Sequence, residues 1–269
     1  MLRQRPGCVK AAILCAAALL LLAGCANNAS SSGEVTPVTA SDQTSADKRA
    51  HYRLELAAGY FARGQNETAL DEVKQALAAS PNSADAYNLR GLILAAMGDA
   101  GLAEDSFRRA LQISPRDPDG MHNYGWFLCQ QRRFDEAQAQ FQQALAQPQY
   151  RAQVRTLLAE GVCFAKAGRW EDAEHTLGRA YELDPSSPVT ALNLSEVLLH
   201  RNQLDRARFY IARVNAQADQ SNAQTLWLAA RIEHKAGNAK GVEDFGSQLR
   251  ARFPQSPQAL ALERGRFDD

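Results

Sequence analysis

A recurrence at about 34 to 36 residues, the length of a helical-hairpin repeat, constrains this chain more tightly than any other feature of its sequence. From about residue 48 onward, apolar residues fall three and four apart, the spacing of one helix face. Pro81, Pro115, Pro185 and Pro254 each follow such a run, in the contexts Ala-Ser-Pro, Ile-Ser-Pro, Leu-Asp-Pro and Arg-Phe-Pro. The intervals between them read as one, two and two units of a helix–turn–helix repeat. A helical period of this length builds a stack in which each pair buries its apolar face against the next. The 269 residues then report the number of units and say little about domain count.

The register within each unit agrees with this reading. Small residues stand at the eighth repeat position, Ala57, Gly91, Gly125, Gly161, Ser195 and Ala230 on first helices. Others stand at the twentieth, Ala69, Ala103, Ala137, Ala173 and Ala207 on second helices, with Val242 in the last unit. Small side chains at a crossing let two helices approach closely. Around them come Tyr60, Leu94, Leu128, Phe164 and Leu198 from first helices, and Val73, Phe107, Phe141, Leu177 and Ile211 from second ones. Gly64, Gly98, Gly168 and Gly237 fall where first helices stop. Period and register together resemble the tetratricopeptide repeat. The resemblance implies an all-α, right-handed superhelical α-solenoid of six repeats over 48–256, at about 50–83, 84–117, 118–153, 154–187, 188–222 and 223–256. Gln147-Pro148-Gln149 stretches the third unit, and the sixth is the least regular, with Glu233 and Gly246 at usually apolar positions. Residues 257–269 would add a short helix that caps the end. An irregular helical bundle would need all six units to agree by accident.

Ahead of the repeats lies an address. Arg3, Arg5 and Lys10 precede an apolar run from Ala11 to Ala23, and no acidic residue comes before Glu34. The run is well short of the roughly 20 residues that a bilayer-spanning helix needs. This is the layout of a secretory signal peptide, residues 1–24. It ends in Leu22-Ala23-Gly24-Cys25, which resembles the bacterial lipobox; the alternative is an ordinary signal peptide with a chance Cys. The resemblance implies cleavage before Cys25 and a lipid on its thiol and new amine. Each buried acyl methylene contributes ~0.8 kcal/mol, so several chains hold a protein on a membrane almost permanently. Ala26 in place of Asp points, by the sorting rule for such lipoproteins, to the outer membrane, facing the periplasm. Residues 25–47, rich in Ser, Thr, Ala and Asn, read as the lipidated Cys and a flexible tether.

Charge and chemistry narrow the function. The 30 basic and 30 acidic residues cancel, and loss of Arg3, Arg5 and Lys10 leaves a slight acidic excess. That balance argues against a nucleic-acid partner. No residue set demands catalysis: Ser195 lacks the glycines of a nucleophile elbow, and Gly237–Gly246 lacks the Gly-Lys-Ser/Thr of a phosphate loop. His200 and His234 occupy neighbouring positions of consecutive first helices but have no clear third ligand. No metal, cofactor or enzyme activity is expected beyond the covalent lipid on Cys25. Cys8 and Cys15 leave with the signal. Cys129 and Cys163 remain, one repeat length apart on consecutive first helices. In an oxidising compartment they are either a disulfide or two buried thiols acting as small hydrophobes.

First helices line the concave face of such a stack, where protein partners dock. The candidate groove residues are Leu54, Phe61, Asn88, Leu92, His122, Trp126 and Leu158, with Trp227 and Arg231 at matching positions of the sixth unit. Trp126 is either a groove hot spot or a packing residue of the stack. The string His122-Asn123-Tyr124-Gly125-Trp126-Phe127-Leu128-Cys129 resembles a segment of the PilF/PilW family of type IV pilus biogenesis lipoproteins. The likeness extends over the lipobox, the tether, six repeats and the two Cys. It implies a pilotin, a lipoprotein that binds the secretin subunit, accompanies it to the outer membrane and promotes its multimerisation. The competing expectation is a periplasmic scaffold lipoprotein that recruits cell-wall enzymes with the same repeats. The sequence leaves the oligomeric state open, a monomer being the simplest case.

Overall fold

The computed structural model describes residues 45–267. The signal peptide, Cys25 and nearly all of the tether therefore lie outside the described residues. Within them the fold is entirely helical, with thirteen helices. Twelve pair as helical hairpins: α1 (Ser45–Ala62) with α2 (Asn66–Ala79), α3 (Ala84–Ala96) with α4 (Ala100–Ile113), and α5 (Pro118–Gln130) with α6 (Phe134–Leu145). The series continues with α7 (Gln153–Lys166) and α8 (Trp170–Leu183), α9 (Pro188–His200) and α10 (Leu204–Asn215), and α11 (Ala223–Lys235) and α12 (Ala239–Arg252). A short α13 (Pro257–Glu263) packs on α11 and α12. The first helix opens at Ser45, inside the stretch expected to be tether.

Local chemistry fixes most helix starts. Ser83, Asp99, Asp117, Ser187, Asn238 and Ser256 each accept a backbone N–H of the first turn, and Asn222 closes a reciprocal box with Thr225. A cap of this kind stabilises by about 1 kcal/mol. Pro118, Pro188 and Pro257 sit just inside their helices, where a missing N–H costs nothing. Each first helix ends on a residue of positive φ that turns the chain back. In four units it is a glycine, but Arg132 (φ 61°) and Asn202 (φ 60°) hold the same place in the third and fifth.

Packing inside the first four hairpins follows a volume rule. The eighth-position residue faces the side chain sixteen positions later. Gly91 and Gly125 face Phe107 and Phe141, and Gly161 faces Leu177. Ala57 and the smaller Val73 share a core cluster. A large side chain on one helix meets a bare backbone on the other, and a medium one meets a methyl group, so the interaxial gap stays filled.

The repeats stack in chain order. Consecutive first helices touch one another, α1 with α3, α3 with α5, α5 with α7, α7 with α9 and α9 with α11, whereas second helices of neighbouring units stay farther apart. The array therefore curves with first helices on the inside. Glu233, at a usually apolar position, is buried because α10 supplies its partner: Arg208 Nε lies 2.6 Å from Glu233 Oε1, and Asn238 Nδ2 donates to Oε2 at 2.7 Å. The arginine holds the Glu233 carboxyl below the usual carboxylate range. Gly246 is the contact point for the cap, since a Cβ there would stand 3.0 Å from Leu262 of α13.

Candidate functional site

The inner face carries a strip of half-buried apolar side chains. Leu54 and Phe61 pack on the first core cluster, Leu92 and Trp126 on the second, and Leu158 on the next. Each presents one side to the core and another to the concave surface, because its helix position lies at the edge of the buried face. Between them, Asn123 Nδ2 donates to Asn88 Oδ1 at 3.2 Å, tying α5 to α3. An asparagine pair spaced like this leaves amide donors and acceptors at the surface of an apolar strip, the combination that grips an extended peptide backbone.

Trp126 belongs to both of its alternatives. It packs against the Cys129-containing core, and Lys166 Nζ sits 5.2 Å from its ring centroid. That cation also donates to Gln130 Oε1 at 3.1 Å, so α7 is held against α5 across the tryptophan. Arg155 and Asp119 form an ion pair at 2.5 Å between the same two helices. Both members are more than half exposed, so the pair contributes little stability but sets the charge at the strip's edge.

His122 is a correction to the groove list. Its side chain is only 8% exposed, within the stack and not on the groove surface. Its Nδ1 lies 2.9 Å from Thr156 Oγ1, which also bonds Tyr150 OH at 2.7 Å. Burial, helped by the Arg155 charge, pushes the imidazole down to about 4. His122 is therefore a neutral structural bridge at neutral pH. Tyr150 reaches Thr156 through the turn after α6, where Gln149 takes a positive φ of 65°. The stretched third unit thus brings a buried hydroxyl to the α5–α7 seam.

Cys129 and Cys163 are bonded to each other, with Cα atoms 5.8 Å apart, and both are buried. Packed helix axes lie about 8–10 Å apart, so only residues on directly facing sides come within disulfide reach. His200 and His234, considered as ligands, line one cavity with Arg231 and Lys235, and each ring is stacked on an aromatic neighbour, His200 on Trp170 at 4.2 Å and His234 on Phe267 at 4.0 Å. Among the described residues no three His, Cys, Asp or Glu converge as a metal site would require, and no helix is long and apolar enough to cross a membrane.

Two contributions escape a reading of the sequence. Lys166 lies one repeat length beyond Arg132 and has no motif to mark it. Phe267, at the end of the expected cap, returns to the concave face, a long-range contact that no local pattern announces.

Comparison with known proteins identifies the scaffold. Tetratricopeptide repeat models match residues 94–161 and 164–232, and a second such model matches 54–118. The type IV pilus assembly protein PilF of Pseudomonas aeruginosa is 27% identical over 241 residues, 90% of this chain and 94% of that protein. The crystal structure of PilW, described as a widely conserved type IV pilus biogenesis factor, superposes with a TM-score of 0.75 at 30% identity. That match covers 80% of this chain and 98% of PilW. A structure of Pseudomonas aeruginosa PilF has the same fold, with a TM-score of 0.70 at 24% identity over 82% of this chain and 100% of that one. The repeat register, the hairpin stack and these similarities together make the chain a tetratricopeptide-repeat protein that belongs with the PilF/PilW-like type IV pilus biogenesis proteins.

Proposed function

We propose that the protein is an outer-membrane pilotin: lipid on Cys25 fixes its location, and the concave strip binds the type IV pilus secretin subunit. Bound in this way, the subunit would be delivered to the outer membrane and assembled there into its multimer, without turnover of any substrate. The observation that carries this reading is the similarity to PilF over nine-tenths of the chain, joined to an apolar strip with amide groups on the inner face. Capture of a protein segment needs such a strip.

The mechanism is one of partition and capture. Several acyl chains on one residue shift the protein almost wholly to the membrane. An apolar strip with half-buried Leu54, Phe61, Leu92 and Trp126 shields aggregation-prone partner surface during transit.

Three experiments test the proposal. Detergent-solubilised membranes should yield the secretin in a pull-down with the wild-type chain and much less with Leu92→Glu, which places a carboxylate in the strip while unfolding remains cooperative. Cys25→Ser should release the protein to the soluble periplasmic fraction and leave secretin multimers in the wrong membrane. Abundant heat-resistant secretin multimers and normal pili in a strain lacking the gene would sink the pilotin reading.

A further inference from the structure

The inner face of the sixth repeat already holds a peptide, and it is the chain's own. After α13 the backbone reverses through Gly265 (φ 64°), with Arg266 N–H donating to Ala261 O at 3.0 Å. Phe267 is thereby laid across α11. Its ring stacks on His234 at 4.0 Å between centroids and 11° between planes, and on Trp227 at 5.2 Å and 28°. Its carbonyl accepts a 3.0 Å hydrogen bond from Arg231 Nε. Trp227, Arg231 and His234 stand at the fifth, ninth and twelfth positions of their unit, the register held by Asn88, Leu92 and Ala95 in the second.

Arg231 is prepared for this task. Its side chain is 12% exposed, and Glu196 of the preceding repeat holds Nη1 at 2.7 Å. The guanidinium is thus fixed by a carboxylate from behind and presents Nε to the groove, a preorganised donor for one backbone carbonyl. A cavity of about 360 Å³ adjoins it, lined by Leu192, Asn193, Gln224 and Trp227 among others. It is large enough for a side chain neighbouring the one that Phe267 represents.

We propose that the concave face of the fifth and sixth repeats is a second peptide-binding site, one that selects an aromatic residue by its ring and its own carbonyl together. Residues 264–267 occupy the site in the free protein, and a partner segment with an exposed Phe, Tyr or Trp displaces them. The proposal rests on the contacts of Phe267 and is independent of the secretin reading, which concerns the early repeats.

The test uses a fluorescently labelled peptide with the sequence Arg264–Asp269, titrated into the full mature chain. In the wild type the tethered segment competes at an effective concentration in the millimolar range, so Phe267→Ala should bind the peptide at least about tenfold more tightly. His234→Ala in the Phe267→Ala background removes one stacking surface from an exposed side chain without touching the core, and should weaken binding again. A peptide with Phe267 replaced by Ala should not bind. Equal affinity of wild type and Phe267→Ala overturns the tethered occupancy, and absence of binding to Phe267→Ala at millimolar peptide overturns the site. Wild-type dimers that dissolve on Phe267→Ala substitution would replace the intramolecular contact by exchange of the segment between copies, and would also overturn the proposal as stated.

Discussion

Adding a single methyl group at Gly161 should destabilise the protein, and the structure sets both the size and the cure. A Cβ there would lie 2.6 Å from Leu177 Cγ, 2.8 Å from its Cδ2 and 3.3 Å from its backbone nitrogen. Leu177 is fully buried, so its side chain has nowhere to swing. Alanine in place of a mid-helix glycine gains about 0.8–1.0 kcal/mol of helix propensity. Overpacking by one methyl in a tight core costs about 1–3 kcal/mol. The nearby backbone nitrogen, which cannot step aside as a side chain can, puts this site toward the upper end, giving a net loss of about 1–2 kcal/mol. Gly178 is the matched control, lying inside α8 with nothing within 4 Å of its would-be Cβ. The same substitution there should gain about 0.5–1 kcal/mol. The cure copies the first repeat, where Ala57 shares a cluster with Val73. Leu177→Val combined with Gly161→Ala should recover at least about 1 kcal/mol relative to the sum of the two single changes, a coupling expected of residues in contact. Urea unfolding followed by far-ultraviolet circular dichroism measures all four variants. If Gly161→Ala is as stable as wild type, or if the pair is simply additive, the volume rule is wrong.

Arg132 is an exposed non-glycine residue at φ 61°, so Arg132→Gly should raise stability by about 0.5–1 kcal/mol in the same assay. Reducing the Cys129–Cys163 bond, or replacing both with Ala, opens a loop of 34 residues and should cost roughly 3–4 kcal/mol, read as a lower urea midpoint in reductant. Burial lifts the Glu160 carboxyl to about 7 from its ordinary 4.5. The folded state then holds a proton that the unfolded state has lost, so this group's contribution is full below 4.5 and is lost as pH rises through 7. Glu160→Gln should therefore gain on wild type between pH 5 and pH 8, and a constant difference would refute the assignment. His122 works in the opposite sense: with its imidazole held at about 4, its contribution is present above 6.5 and lost as pH falls toward 4. Replacing it with Asn should reduce the stability lost on acidification from pH 6.5 to pH 4.

Sequence legibility tracks the range of the interaction. Repeat number, helix order and the small-residue register are readable because each depends on residues within one unit, and six copies repeat the same message. Turn glycines are readable for the same reason, while Arg132 and Asn202 take the turn conformation without the expected residue, forced by the hairpins on either side. His122 occupies a groove register yet turns inward, because Tyr150 and Thr156 arrive from the irregular end of the third unit and the start of α7 to meet it. Glu233 looks out of place until Arg208, from another repeat, supplies its charge partner. Phe267 has no legible place at all, since its contacts depend on where α13 ends and in which direction the chain leaves it.

The disulfide has a consequence for how the array comes apart. A stack of repeats behaves as a one-dimensional chain of coupled units, in which a boundary between folded and melted segments can form at any junction. Cys129 and Cys163 join the third unit to the fourth, so three hairpins lie on either side of that link. Fraying that begins at either end then meets a junction whose helices stay tethered, so moving the melted boundary past the middle of the array costs more than at any other junction. Heat or force would thus loosen the outer repeats before the central pair, whose tether shortens the search for the native register on refolding.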